Sequence, residues 1–306
     1  MSTLKIKNRL KPDTAYKIAY GDKDEDLEEP RFILGYWSIR GLAAPLRMML
    51  AAAEVNHWII MYDVTEEKEE GWGKDSYLNE KEWLREEYNP LMNCPFVVDC
   101  ANERVIVQTN AIFSFLGREL NMLGETPDDQ VKCEELLCEV MDIRNQMVRF
   151  AYASSKENDK SDAELLMNSS GPVSRGFDKL EVYMKRSQFK FLVGDRPSAP
   201  DFHLWEMMDQ FIHMCRFYNL DAPFHSGHRG CLFSYYSRLQ SLPNVKVYME
   251  SDLHKDVPFN NPYARFGSWP GSCGQYRREG TTPWKSKGVV TIQRERTNES
   301  GRKRKI

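Results

Sequence analysis

Several things are missing from this chain, and each absence removes a class of function. No apolar run approaches the ~20 residues that a membrane helix requires, and the first twenty residues lack the apolar middle segment of a secretory signal. That start carries several Lys and Arg against one acid, so a mitochondrial presequence is the weaker reading beside a plain extension. The seven cysteines are odd in number and form neither a CxxC pair nor a regular spacing, which excludes a disulfide framework and fits free thiols in a reducing compartment. Of six histidines only His225 and His228 stand close together. With Gly227 and Gly230 beside them and no carboxylate or cysteine at ligand spacing, they read as a surface loop, and no metal is expected.

What is present is the composition of a soluble globular protein: 306 residues, 41% hydrophobic and 28% charged, with room for two domains. The net charge of -3 hides an asymmetry, because residues 258–306 hold eleven Lys and Arg against three Glu. A mildly acidic body carries a basic C-terminal segment.

Residues 1–30 mix basic and apolar residues, then turn acidic up to Pro30, and read as an N-terminal extension. The packed region starts at Phe32. Residues 32–36 suit a buried strand, and residues 42–55 have helical composition, with Pro45 tolerable in the first turn where its missing N–H breaks no bond. A second strand is expected at 57–64, then a charged loop through Asp75, a short polar helix near 80–87, a hairpin from 95–99 and 104–108, and a helix at 110–120. This order over residues 31–124 predicts a thioredoxin-like α/β domain.

From residue 125 only helical periods remain, so residues 125–257 are expected to form an all-helical domain. Val131, Leu136, Val140, Ile143, Met147 and Phe150 mark one face of a long helix, and Phe177, Leu180, Val182 and Tyr183 mark another. Ser198 and Asp201 have the spacing of a reciprocal cap, in which the hydroxyl takes the Asp201 N–H and the carboxylate returns to the Ser198 N–H. Residues 258–306, rich in Gly, Pro, Asn, Ser and basic residues, show no core pattern and read as a basic C-terminal extension.

Leu34-Gly35-Tyr36-Trp37, Ser38-Ile39-Arg40-Gly41-Leu42, Leu78-Asn79-Glu80-Lys81, Asn93-Cys94-Pro95, Gln108-Thr109, Asn121-Met122-Leu123-Gly124 and Met141-Asp142-Ile143-Arg144 occur in this order, and together they resemble the mu-type glutathione S-transferases, including their trematode relatives. The resemblance covers roughly residues 32–259. It implies the glutathione transferase fold, α/β plus all-α, with glutathione as co-substrate and a small hydrophobic electrophile as its partner.

The resemblance also implies roles. Tyr36 matches the catalytic tyrosine, and Tyr152 a second tyrosine that acts as an acid toward the electrophile. Leu42 follows the turn whose N–H groups face the sulfur. Trp37, Lys81 and Tyr77, the last in place of a tryptophan, match contacts to the glycyl end. Asn93, Cys94 and Pro95, with a cis bond after Cys94, match the backbone pairing with the cysteinyl part. Gln108 and Thr109 match the γ-glutamyl carboxylate site at a helix start, and Asp142 matches a residue that reaches glutathione bound in the neighbouring subunit of a homodimer. The chemistry is consistent with these types: a thiol of pKa ~8.5 is mostly protonated at neutral pH, and a hydroxyl aimed at sulfur favours the thiolate.

The pattern departs in three places. Leu91-Met92 stands where mu enzymes carry the aromatic key of the dimer, the loop at 65–75 is long and acidic, and both extensions are additions. Two functions follow as expectations. One is a cytoplasmic detoxifying transferase that conjugates glutathione. The other is a transferase-fold subunit of a cytoskeletal or ciliary assembly, whose basic tail docks on an acidic protein surface.

Overall fold

The computed structural model describes residues 5–21, 25–67, 71–153, 159–224, 227–268 and 287–294. The first part of the chain runs α1 (Lys5–Arg9), β1 (Thr14–Tyr20), α2 (Glu25–Glu28), β2 (Phe32–Trp37), α3 (Ala44–Ala52), β3 (His57–Tyr62), β4 (Thr65–Glu67), β5 (Gly71–Gly73), α4 (Asp75–Glu87), β6 (Phe96–Asp99), β7 (Arg104–Val107) and α5 (Thr109–Glu119). The helical part follows as α6 (Pro127–Ala151), α7 (Asp159–Met167), α8 (Pro172–Ser187), α9 (Ala199–Phe217), α10 (Gly230–Gln240), α11 (Pro243–Glu250) and α12 (Asp252–Lys255), and β8 (Gly288–Arg294) ends the described chain. No helix among the described residues is long and apolar enough to cross a membrane.

The main sheet has the order β7-β6-β2-β3-β1-β8. Strand β2 pairs in parallel with β3, Tyr36 opposite Met61, and antiparallel with β6, Gly35 opposite Phe96. Because a strand sends alternate side chains to opposite faces, Phe32, Leu34 and Tyr36 join the core shared with α3, α5 and the helical domain. Ile33 points into the other core, with Trp58, Ile60, Tyr62 and Phe96. Both faces are covered, which is why β2 reads as a continuous apolar run. Gly35 is required there, since a Cβ would lie 2.2 Å from the Phe96 ring.

The two extensions are not appendages. Residues 14–20, expected to lie in an extension or linker, form β1, which pairs antiparallel with β3, Thr14 opposite Met61. Residues 288–294, expected to lie in a tail without core pattern, form β8, parallel to β1 along its whole length. Lys287 ties this end down: its N–H donates to the Thr14 hydroxyl at 2.9 Å, and its ammonium pairs with Asp252 at 2.5 Å. Val290 and Ile292 pack against the core, while Val289 faces outward. Neither segment could bury an apolar face alone, so neither announces itself as a core element. The remainder of the expected basic tail, residues 269–286 and 295–306, lies outside the described residues, as does His225.

A chain ending at residue 286 loses this strand and its two inward side chains. It is expected to lose about 2 kcal/mol of stability and the exchange protection of the β1 amides, measured by denaturant melts and hydrogen exchange. Unchanged protection at residues 14–20 would show that β1 does not need its outer partner.

The long helix α6 starts at a reciprocal cap between Thr126 and Asp129, and α9 at the expected one between Ser198 and Asp201. The Asp201 carboxylate accepts from the Ser198 N–H at 2.7 Å and hydroxyl at 2.6 Å, and from the Leu192 N–H at 2.9 Å. Two expected core positions are exposed, Val131 and Val182. At 100° per residue Val131 lies about 140° from Leu136, and Val182 about 160° from Leu180, so each points off the buried stripe.

Inside the helical domain His203 is fully buried, stacked on Phe113 with ring centroids 5.2 Å apart, and neither ring nitrogen has a hydrogen-bond partner. Burial pushes its pKa down to about 3, and that of buried His57 to about 4. The unfolded chain therefore takes up protons that the folded one refuses as pH falls below 6.5. The stability these neutral rings allow is complete above that pH and is lost on acidification, by up to about 1.4 kcal/mol per pH unit for each group. His203→Leu is expected to flatten the fall in denaturation midpoint between pH 6.5 and 4 relative to the parent chain; parallel curves would exclude this role.

Candidate functional site

A cavity of about 350 Å³ lies between the two domains, lined by residues of the turn after β2, α6, α9 and the segment after α12. Tyr36, the last but one residue of β2, projects from the sheet face toward the helical domain and lines it with Trp37, Ile39 and Gly41. The turn is held from below. Arg47, completely buried in α3, donates to the carbonyls of Ile39 at 3.1 Å and Trp37 at 3.4 Å, and the Ser38 N–H donates to Tyr62 O at 2.8 Å. Gly41 has φ +40° and lies so close to Tyr36 that a Cβ would come within 2.7 Å of its hydroxyl. Glycine here permits both the backbone bend and the approach to the phenol.

Burial raises the Tyr36 pKa, while the Arg144 charge and the backbone N–H of Leu42 act in the opposite sense. The phenol is therefore a neutral donor whose oxygen is already polarised by an N–H at the start of a helix. Such a group can stabilise an anion by a charge-assisted hydrogen bond. Ser38, the small residue at the same turn, is buried and donates to Asp63 at 2.5 Å, away from the cavity.

Tyr152 stands across the cavity at the end of α6. Its hydroxyl accepts from the Asn261 N–H at 2.9 Å and lies 3.5 Å from Asn260 Oδ1, so its proton is only weakly engaged. Burial raises its pKa and the Asn261 N–H acts against that. This is the environment of a phenol that keeps its proton at neutral pH and can deliver it to a nearby developing charge.

The roof was not foreseen from the sequence. Residues 258–263, in a stretch expected to be a tail, cross the mouth of the turn: the Arg40 N–H donates to Pro258 O at 2.7 Å and the Gly41 N–H to Phe259 O at 3.1 Å. Asn260, Asn261 and Tyr263 line the cavity. Further on, the Arg265 N–H donates to Ala151 O at 2.8 Å and its guanidinium pairs with Asp162 at 2.8 Å. Their recognition from sequence fails because each contact joins residues about a hundred or more positions apart. Arg144 is also a cavity residue that carried no expected role, although it belongs to the quoted motif around Asp142.

The other expected residues lie on the sheet side. The Cys94–Pro95 bond is cis, as the resemblance implied. Asn93 is exposed and its Oδ1 accepts from the Cys94 N–H at 3.0 Å. Pro95 is buried, and the Cys94 thiol is pushed up by burial, with the Tyr77 hydroxyl and the Lys81 charge acting against that shift. Gln108, at φ 70°, is exposed at the N-cap of α5, and Thr109 is the buried first residue of that helix. Trp37 and Lys81 are half-buried. Tyr77 is 2% exposed, packed edge-on against Trp37 with ring centroids 5.0 Å apart and tilted against Tyr62, so it supports Trp37. Asp142 is exposed on α6 and Leu91 is 68% exposed, outside the cavity. Among the described residues no group of His, Cys, Asp or Glu could hold a metal, and the six described cysteines are free thiols.

A family model described as the glutathione S-transferase C-terminal domain matches residues 141–252. Glutathione S-transferase Mu 3 of Homo sapiens is 28% identical over 250 residues, which is 79% of this chain and 98% of that protein. Glutathione S-transferase Mu 1 of Oryctolagus cuniculus is 29% identical, over 78% of this chain and 98% of its own length. Among solved structures, the glutathione S-transferase Blo t 8 superposes with a TM-score of 0.65 at 24% identity, covering 77% of this chain and 99% of its own. The pi-class glutathione S-transferase of Onchocerca volvulus superposes with a TM-score of 0.58 at 21% identity, over 76% of this chain and 98% of its own. With its thioredoxin-like sheet and helical second domain the chain has the glutathione S-transferase fold, and mu-class glutathione S-transferases are its homologues at about 28% identity over about 79% of its length.

Proposed function

We propose that the protein conjugates glutathione to a small electrophile, with Tyr36 stabilising the thiolate and Tyr152 supplying a proton to the electrophile as it reacts. The observation that carries this reading is the pair of phenols facing one cavity, the buried Tyr36 beside the Leu42 N–H and the half-buried Tyr152 held by the Asn261 N–H. In this reading the glutathione backbone runs along Cys94 and its thiol reaches Tyr36. Its γ-glutamyl end lies at the start of α5, by Gln108 and Thr109, where N–H groups and the helix dipole suit a carboxylate. Its glycyl end lies by Trp37 and Lys81. Asp142, exposed on α6, is available to the ligand of a second subunit in a dimer.

Sulfur attacks the electrophilic carbon, and the electron pair displaced by that bond moves onto the substrate or departs with its leaving group. Where it stays, Tyr152 protonates it. The test is a pH titration of thiolate absorbance for glutathione bound to the full-length chain. A bound thiol titrating at least one unit below free glutathione is expected, which corresponds to ~1.4 kcal/mol of preference for the thiolate. A bound thiol that titrates like the free one would sink the reading.

A further inference from the structure

Two residues of α6, Arg144 and Val148, and its C-cap Tyr152 line the cavity, each four positions after the last. They form one stripe, and Arg144 lies about 12 Å along the helix axis from Tyr152. Tyr36 lines the same cavity as both residues. The guanidinium makes one long bond, to neighbouring Asn145 at 3.3 Å, and among the described residues no carboxylate pairs with it. Half-buried and facing the cavity, the guanidinium has donors free for a ligand.

The rest of the lining is mixed: Ile39, Val148, Met207 and the aromatic rings give it an apolar face, while Gln210, Asn260 and Asn261 add amides, and the Asn261 side-chain oxygen is buried without a hydrogen-bond partner. An apolar electrophile would leave such groups dry and unpaired, at a cost that offsets its own burial. Under the conjugation reading the negative groups of glutathione are served elsewhere, the thiolate by Tyr36 and the Leu42 N–H and the two carboxylates by the α5 start and by Lys81.

Resting on that reading, we infer that the electrophile conjugated by this protein carries a carboxylate, which Arg144 binds at the end of the cavity away from Tyr152. The electrophile that the resemblance implies to be hydrophobic then also carries one negative charge. The guanidinium is suited to this group because its planar donors match a carboxylate in two parallel hydrogen bonds.

The experiment uses the full-length protein and two aryl chlorides of nearly equal shape, 4-chloro-3,5-dinitrobenzoate and its methyl ester. In both, the sulfur–carbon bond forms, chloride leaves with the bonding pair and the thiol proton passes to solvent. The readout is the ratio of kcat/KM for acid over ester, divided by the same ratio for glutathione reacting without protein. A charge-assisted pair predicts a corrected ratio of about 10 or more, falling toward one in Arg144→Met and retained in part by Arg144→Lys. Because it is a ratio, any change in thiolate activation cancels. Equal turnover of acid and ester, or a preference that survives Arg144→Met, overturns the inference and leaves the conjugation reading standing. Turnover of neither substrate overturns both. Should Arg144→Met fail to fold, loss of the preference in the parent protein at high salt supports the inference, and a salt-independent preference counts against it.

Discussion

Tyr36→Phe is expected to lower turnover about 10²-fold, the usual cost of removing one preorganised donor from a developing anion, while glutathione binding changes little. The substitution removes one oxygen and leaves the ring, which is 5% exposed and packed in the core of the first domain. The fold is therefore untouched, and the loss isolates the hydroxyl. In the titration of bound glutathione the thiol pKa should rise by about two units, since a factor of ten in equilibrium is ~1.4 kcal/mol. Measuring turnover at pH 6.5 and pH 9 separates this from a structural defect. The deficit should shrink at the higher pH, where thiolate forms unaided. A deficit equal at both pH values would mean that the phenol positions the sulfur without changing its ionisation.

The largest stability effect is expected at Arg40. Its guanidinium is 1% exposed and donates to Glu206 at 3.0 and 2.6 Å and to Asp209 at 2.7 Å, beneath the Phe259 ring at 4.0 Å. Gln210 completes the set with a bond to Glu206 at 3.0 Å. Two carboxylates hold Arg40 firmly charged, and the arginine is what makes two buried carboxylates tolerable. Arg40→Met leaves both acids facing each other without a cation and should cost about 3–5 kcal/mol, read as a fall in denaturation midpoint. Combining it with Glu206→Met should recover part of that loss, because the uncompensated charge is reduced. Additive losses in the double variant would mean that the triad acts only through packing. Since this cluster joins the turn after β2 to α9 and carries Phe259, its loss is also expected to loosen the roof over the cavity and reduce turnover.

The cluster shows why some of the site was legible and some was not. Arg40 and Gly41 sit in a motif whose order along the chain pointed to a strand, a turn and a helix start. Glu206 and Phe259, their partners, lie more than a hundred and sixty residues further on in stretches read as plain helix and as tail.

By itself the sequence determined what short-range chemistry can specify. An apolar run ending in Tyr36-Trp37 before a glycine turn, a serine and an aspartate spaced to cap α9, and helical periods alone after residue 125 each rest on bonds spanning a few residues. Tertiary structure decided the rest. Strand β1 lies in the sheet because β3 and β8 flank it, and the bond from Lys287 to Thr14 closes a separation of 273 residues. Asn260 and Asn261 roof the cavity because the turn after β2 donates to the carbonyls of Pro258 and Phe259 just before them and the Tyr152 hydroxyl accepts from the Asn261 N–H. An edge strand and a roofing loop take their stability from partners, not from a periodic face of their own, so no local pattern marks them in advance.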